Sequence, residues 1–368
     1  MGINKVKYIE IIYNFLLKNK IKLKLIFFIL LSIKYFNFIK KRKKIGIIGL
    51  EHSQNIGNNL LKYAIFIKLS ELGFDPYIIG MKYKNHNISF IQKAVKLRVI
   101  EKTFKEINRN DYDILMVNSD QTWKHLSLFS YDMALLKFAS NWTIPKFIYA
   151  TSIGTEKWAI NKKDIKIAKS LLKNFSGISV REISSIHLIK KYLGFNVLLV
   201  LDPTLLIDKN YYLNLIKNYK NHVNIDNNYI FIYTVSDSFK IKKYINKVKS
   251  KYKYKYKLYI INMGVPNQIL KFIYGISNCK GVITDSYHGT LFSLIFNKPF
   301  ISFIVNAHGN ARFNSLKEVF NIGNRFFKED SIPDLGLLES PLNLNLTQFN
   351  LLKKQSIKFL KKNLNIEY

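Results

Sequence analysis

The sequence predicts an α/β protein built from two successive series of strand–turn–helix units. Short apolar runs recur along the chain, each closed by a polar turn and then by a segment of helical periodicity, which is the pattern of βα units around a parallel sheet. At 368 residues and 43.2 kDa the chain is long enough for two core-bearing domains, taking roughly 100–200 residues for each. Pro203 and the polar stretch from Asp208 to Asn228 interrupt the series, and a new one starts at Tyr229.

Residues 1–44 stand apart, with twelve basic residues and the single acid Glu10 around the apolar run Leu25 to Ile33. Lys22, Lys24 and Lys34 break up any apolar stretch of the ~20 residues that a membrane span requires. No small-residue cleavage site follows. Two readings of this extension stay open: peripheral contact with an anionic inner leaflet, or a helix packed on the first domain.

Ile45 to Leu50 is the first buried strand, followed by a turn carrying His52, Ser53, Asn55, Gly57 and Asn59. An amphipathic helix is expected over 58–72, ended by Gly73, and a strand over 76–79. The glycine spacing does not match the dinucleotide fingerprint, so NAD is not inferred; the asparagines offer amides suited to a sugar. Residues 81–110 are expected to form helices with loops. Strands follow at 113–118, 146–150, 177–180 and 197–201, with a Lys-rich helix over 162–174.

Each strand ends in polar residues at the edge where α/β sheets bind ligands. After 113–118 come Ser119, Asp120, Gln121, Thr122 and Trp123; after 177–180 come Arg181 and Glu182; after 197–201 comes Asp202. Asp120 is a candidate acid or base, or a helix cap. The Arg181 guanidinium suits a phosphate or carboxylate, or pairs locally with Glu182.

The second series has a strand over 229–235, a helix presenting Ile241, Tyr244, Ile245 and Val248, and a strand over 258–261. The alternating Lys and Tyr of 251–257 are expected to form a charge-protected strand edge. Gly281 to Thr284 is a further strand, with Asp285, Ser286, Tyr287, His288 and Gly289 as its turn and a helix expected from Thr290 to Phe296. Backbone N–H groups opening that helix, with Asp285, Ser286 and His288, would make an anion pocket, although Asp285 or Ser286 could equally cap it. Pro299 to Val305 continues as strand, His308, Gly309, Asn310 and Arg312 precede another helix, and an apolar stripe (Phe349, Leu352, Ile357, Leu360) marks a terminal helix expected to cross back over the first domain.

Composition narrows the function classes. The formal charge of +34, from 58 Lys and Arg against 24 Asp and Glu, invites nucleic acid or anionic membranes. No helix-turn-helix, zinc or ribonucleoprotein signature accompanies it, so nucleic acid is not expected as a partner. The lone cysteine, Cys279, can form neither an internal disulfide nor a structural zinc site, which fits a reducing compartment, and it reads as a small buried hydrophobe.

Taken in order, the loop with Asn55, Gly57 and Asn59, the cluster Ser119 to Trp123, the runs Ser179 to Glu182 and Leu201 to Thr204, and the stretch from Thr284 through Gly289 to Asn306 and Arg312 make the chain resemble the polysaccharide pyruvyl transferase family over roughly residues 45–330. The resemblance implies two Rossmann-like domains facing a cleft, as in GT-B enzymes. An N-terminal domain over 45–205 would serve the acceptor and a C-terminal domain over 206–335 phosphoenolpyruvate, with a helical tail over 336–368. It also implies transfer of the enolpyruvyl unit of phosphoenolpyruvate onto two hydroxyls of one sugar, giving a cyclic ketal and phosphate, with no further cofactor and no metal.

Under this resemblance His288, Asp120 and Asp285 are the candidate catalytic residues. Arg181, Ser286, Tyr287, Gly289, Arg312, Asn55 and Asn59 are the candidate substrate-binding residues. Some relatives carry an arginine two residues before the matching histidine, where this chain has Ser286, which places more of the anion's charge on Arg181 and Arg312. The expected partners are phosphoenolpyruvate and a saccharide acceptor, lipid-linked if the protein works at the inner face of the cytoplasmic membrane. A GT-B glycosyltransferase using a nucleotide sugar and a non-enzymatic, membrane-associated assembly factor are the competing readings.

Overall fold

The computed structural model describes residues 42–49, 55–80, 98–118, 121–126, 130–217, 228–261, 268–305 and 309–366. The expectation of membrane contact by residues 1–44 falls almost wholly outside these, as do Asp120 and His308. Among the described residues no helix is long and apolar enough to cross a membrane.

The first sheet has seven parallel strands: β1 (Lys44–Ile48), β2 (Asp75–Gly80), β3 (Val99–Glu101), β4 (Ile114–Asn118), β5 (Lys146–Thr151), β6 (Gly177–Val180) and β7 (Leu198–Leu199), in the order β3-β2-β1-β4-β5-β6-β7. Its helices are α1 (Ile56–Glu71), α2 (Tyr131–Leu135), α3 (Lys162–Leu172) and α4 (Ile183–Leu193). β4 and β5 are buried along their whole length, as continuous apolar runs in a doubly covered parallel sheet should be. In place of the helices expected over 81–110, the described part holds the short strand β3 against β2 and a single 3-10 turn at Arg109–Asp111. Three residues are too few to show a period, so pairing with β2 decides their state.

The second sheet follows α5 (Lys209–Leu215) and has five parallel strands: β8 (Tyr229–Tyr233), β9 (Lys257–Ile261), β10 (Gly281–Thr284), β11 (Phe300–Ile304) and β12 (Phe326–Lys328), in the order β12-β11-β10-β8-β9. Its helices are α6 (Phe239–Lys251), α7 (Gln268–Asn278), α8 (Tyr287–Ile295) and α9 (Ala311–Phe320). The Lys/Tyr alternation of 251–257 is mostly not a strand edge: α6 ends at Lys251, a turn follows, and only Lys257 opens the edge strand β9. Tyr252 turns inward and donates to the Leu335 carbonyl, while Tyr254 is exposed, so a period of two arises without a ladder.

One apolar core runs continuously from Ile45 and Leu60 through Tyr212 and Phe292 to Leu360. Tyr212 is its bridge, with its ring 4.8 Å from that of Phe292 on α8 and 6.0 Å from that of Tyr63 on α1. The last helix, α10 (Leu346–Asn363), returns to the first sheet. Phe359 packs on Phe147 and Tyr149, and Ser356 accepts from the Leu201 amide at 2.8 Å. Arg325 secures the crossing chain by donating to the carbonyls of Leu337, Ser340 and Pro341. Cys279 is buried, its Sγ directed to the Ile276 carbonyl, and burial pushes its thiol up to about 12.

Candidate active site

In a parallel sheet the loops beside a reversal of strand order diverge to opposite faces and leave a crevice. The first sheet reverses between β1 and β4, and the second between β8 and β10. α1 leaves β1 at the first point and α8 leaves β10 at the second. The two helices meet there: a Cβ added to Gly57 in the first turn of α1 would overlap the His288 ring, at Nδ1.

Helix α8 begins at Tyr287, three residues before its expected start, so Tyr287, His288 and Gly289 form its first turn rather than a loop. Ser286 is the cap, its Oγ accepting from the Gly289 amide at 3.3 Å. Gly289 lets the helix close on its strand, because a Cβ there would overlap the Thr284 side chain. Asp285 reaches across the switch point, where Oδ1 accepts from the Val235 amide at 2.6 Å and Oδ2 from the Ser236 amide at 2.9 Å and the Ser236 hydroxyl. Both carboxylate oxygens of this candidate catalytic residue are thus engaged in binding the loop after β8.

The remaining side chains gather on Tyr287. The guanidinium carbons of Arg181, delivered by β6, and Arg312, in the first turn of α9, lie 5.0 Å and 4.8 Å from its ring centroid, and the His288 ring lies edge-on at 5.4 Å. Arg181 Nη1 pairs with Asp202 Oδ2 at 2.6 Å, and His288 Nε2 lies 3.9 Å from that same oxygen. Asp202 Oδ1 accepts from the amide and hydroxyl of Thr204 at 3.0 Å and 2.7 Å. Every member of this cluster is at most 7% exposed.

Burial on this scale decides the charges. It drives the His288 pKa down to about 3; the Asp202 carboxylate opposes this, and the cations of Arg181 and Arg312 reinforce it. His288 is therefore a neutral imidazole in the free protein. Its Nε2 has no hydrogen-bond partner, although a buried ring nitrogen ordinarily has one. Burial, and then the charge of Arg181, bring Arg312 down to about 10, still charged at neutral pH. For Asp202, burial acts upward, but Arg181, His288 and Thr204 together hold it below the usual carboxylate range. Two buried guanidiniums raise each other's energy, so an anion placed between them relieves it.

The other expected residues fall as follows. Asn55 is the N-cap of α1, accepting from the Gly57 amide at 2.8 Å and the Asn58 amide at 3.4 Å, and Asn59 is buried in the same helix. Asp202 and Gly57 were not singled out by sequence reasoning as site residues. Asp202 carried a signal, an acid directly after a buried strand, whereas Gly57 carried none, because its role depends on a helix more than 200 residues away. The Gly57→Ala variant, ordinarily favourable within a helix, should destabilise by about 1–3 kcal/mol through overpacking against His288. Thermal unfolding alongside Gly194→Ala, at a left-handed helix end with no neighbour within 4 Å, separates overlap from backbone strain.

Two Rossmann-like domains with their switch points apposed over a buried arginine pair define an enzyme of the GT-B fold. The chain belongs to the polysaccharide pyruvyl transferase family, which it matches over residues 55–307, and is accordingly a transferase. It is similar in structure to the UDP-GlcNAc 2-epimerase of Neisseria meningitidis bound to UDP-GlcNAc (11% identity, TM-score 0.55, covering 87% of this chain and 100% of that one). It is also similar to S. aureus MnaA solved with UDP (12% identity, TM-score 0.53, covering 88% and 98%). At such identities the likeness is one of fold alone. No curated protein sequence matches the chain.

Proposed function

We propose that the protein transfers the enolpyruvyl group of phosphoenolpyruvate onto two hydroxyls of one sugar, in a surface or capsular polysaccharide or its precursor, and so forms a pyruvate ketal. The observation that carries this reading is the convergence of Arg181 and Arg312 on Tyr287 beside a neutral His288 whose Nε2 has no hydrogen-bond partner. Phosphoenolpyruvate presents two anionic groups, and two guanidinium forks match a phosphate and a carboxylate. Neutral His288 at the start of α8 then stands ready to share or take up a proton on a phosphate oxygen, where the helix amino end also favours negative charge.

In this reading Tyr287 fixes the separation of the guanidiniums, Ser286 and Gly289 shape the first turn of α8, and Asp285 and Asp202 position their neighbours. The amino end of α1, with Asn55 and Asn59, lies on the acceptor side. A lipid-linked acceptor at the inner face of the cytoplasmic membrane would give the basic segment 1–44 a role.

The test is release of inorganic phosphate from phosphoenolpyruvate with a panel of methyl hexopyranosides and nucleotide-linked and lipid-linked sugars, products being screened for an acid-labile ketal. Release should require an acceptor, and Arg312→Lys, which keeps the charge but loses the fork, should raise KM for phosphoenolpyruvate at least tenfold. Turnover of nucleotide sugars with none of phosphoenolpyruvate would refute the reading.

A further inference from the structure

Glu182 is a buried carboxylate beside the active site with no role in the chemistry above. It immediately follows Arg181 and is 0% exposed. It stands at the N-cap position of α4 but makes no side-chain cap to the helix backbone. Its Oε1 instead accepts from the backbone amides of Ile153 and Gly154, at 2.7 Å and 2.9 Å, and from the Ser185 hydroxyl. Those amides belong to the loop leaving β5, so one oxygen is held firmly on the first domain's ligand-facing edge. The other, Oε2, is buried with no hydrogen-bond partner. Leaving such an oxygen without a donor is unfavourable, and more so for a charged group than for a neutral one.

Two further observations say what donor is missing. Glu182 is close enough to act electrostatically on Arg181, Arg312 and Tyr287, which places it at the anion site. A phosphate or carboxylate cannot satisfy Oε2, because both are acceptors and repel it; a hydroxyl can. In addition, the carboxyl ends of the neighbouring strands β4 and β5 carry more buried polar atoms without partners: the Asn118 amide, Thr122 Oγ1 and Ser152 Oγ. Such groups, offering both donors and acceptors, suit a polyhydroxylated ligand rather than an anion.

We propose that Glu182 is a catalytic residue of the pyruvyl transfer, its Oε2 accepting first the hydrogen bond and then the proton of the attacking sugar hydroxyl. This rests on the function proposed above. In the addition, the methylene carbon takes a proton from solvent, the sugar oxygen bonds to C2, and the hydroxyl O–H bond breaks with its proton passing to Oε2. In the second stage the other hydroxyl oxygen bonds to C2 as the C2–O bond to phosphate breaks, the electron pair and the second hydroxyl proton leaving with phosphate. Oε2 then returns its proton to solvent, so the diol and phosphoenolpyruvate balance the ketal and phosphate. With Oε1 fixed by two amides, Oε2 is oriented before the acceptor arrives, which is what general base catalysis demands.

The discriminating variant is Glu182→Gln. Its amide oxygen still accepts from Ile153 and Gly154, so the β5 loop stays pinned, while an NH2 group replaces the proton acceptor. With the acceptor panel above, kcat should fall at least a hundredfold, with KM for phosphoenolpyruvate within threefold of wild type and an unchanged circular dichroism spectrum. A variant within threefold of wild type in kcat would show that Glu182 only pins the loop and that its free oxygen meets a structural water; the inference would fall and the function stand. A wild-type protein that releases no phosphate with any acceptor would overturn both.

Discussion

Asp202→Ala should lower the unfolding free energy by about 3–5 kcal/mol, because it leaves the Arg181 charge in a dry site without its carboxylate. Both partners of this 2.6 Å pair have side chains 0% exposed, so water cannot replace what is lost. The substitution also removes the acceptor for the Thr204 amide and hydroxyl. Asp202→Asn keeps an oxygen for Thr204 and removes only the charge, so its loss relative to wild type reports the ion pair, and the difference between the two variants reports the Thr204 bonds. Urea titrations followed by tryptophan fluorescence would measure both. A loss below about 1 kcal/mol in the alanine variant would mean that Arg181 is neutralised by other neighbours and that Asp202 is dispensable to the fold.

His288→Gln should reduce phosphate release from phosphoenolpyruvate about 10²–10⁴-fold, the range for loss of a positioned proton-transfer group. The neutral imidazole makes two more expectations specific. First, an incoming phosphate dianion would favour the protonated ring, so binding near pH 6–7 should take up a proton in wild type and not in the variant. Calorimetry in buffers of different ionisation enthalpy reads this directly.

Second, His288 makes stability depend on pH. With an unfolded pKa near 6.5 and a folded value of about 3, the unfolded chain holds the extra proton between these limits. Stability from this group is therefore full above pH 6.5, falls as the pH drops, and levels off near pH 3. The slope is about 1.4 kcal/mol per pH unit. His288→Gln should remove that slope from the wild-type curve. Parallel curves for the two proteins would show that the folded ring protonates normally.

The sequence carried the two series of βα units because apolar runs and helical periods are local properties. β4, β5, β8 and β10 read as strands wherever they are placed, being mostly apolar and buried along their whole length. The 251–257 alternation misled because a period of two also arises when one aromatic ring in a turn finds a carbonyl to bond and the next does not. The start of α8 was misplaced because Gly289 reads as turn punctuation, whereas its missing Cβ serves close packing on Thr284.

Which residues come to the ligand-facing edge was legible from their place after the strands: Arg181, Asp285, His288 and Arg312 could be named without coordinates. Their protonation and division of labour could not. Whether a histidine is charged depends on the desolvation imposed by two domains and on arginines from β6 and α9, and whether an aspartate is a base depends on how many donors already hold it. Tertiary structure alone engages Asp285 with Val235 and Ser236, makes His288 neutral, puts Gly57 against its ring, and leaves one oxygen of Glu182 without a donor. Those are properties of distances between segments far apart in the chain, and a local pattern of residue types does not encode them.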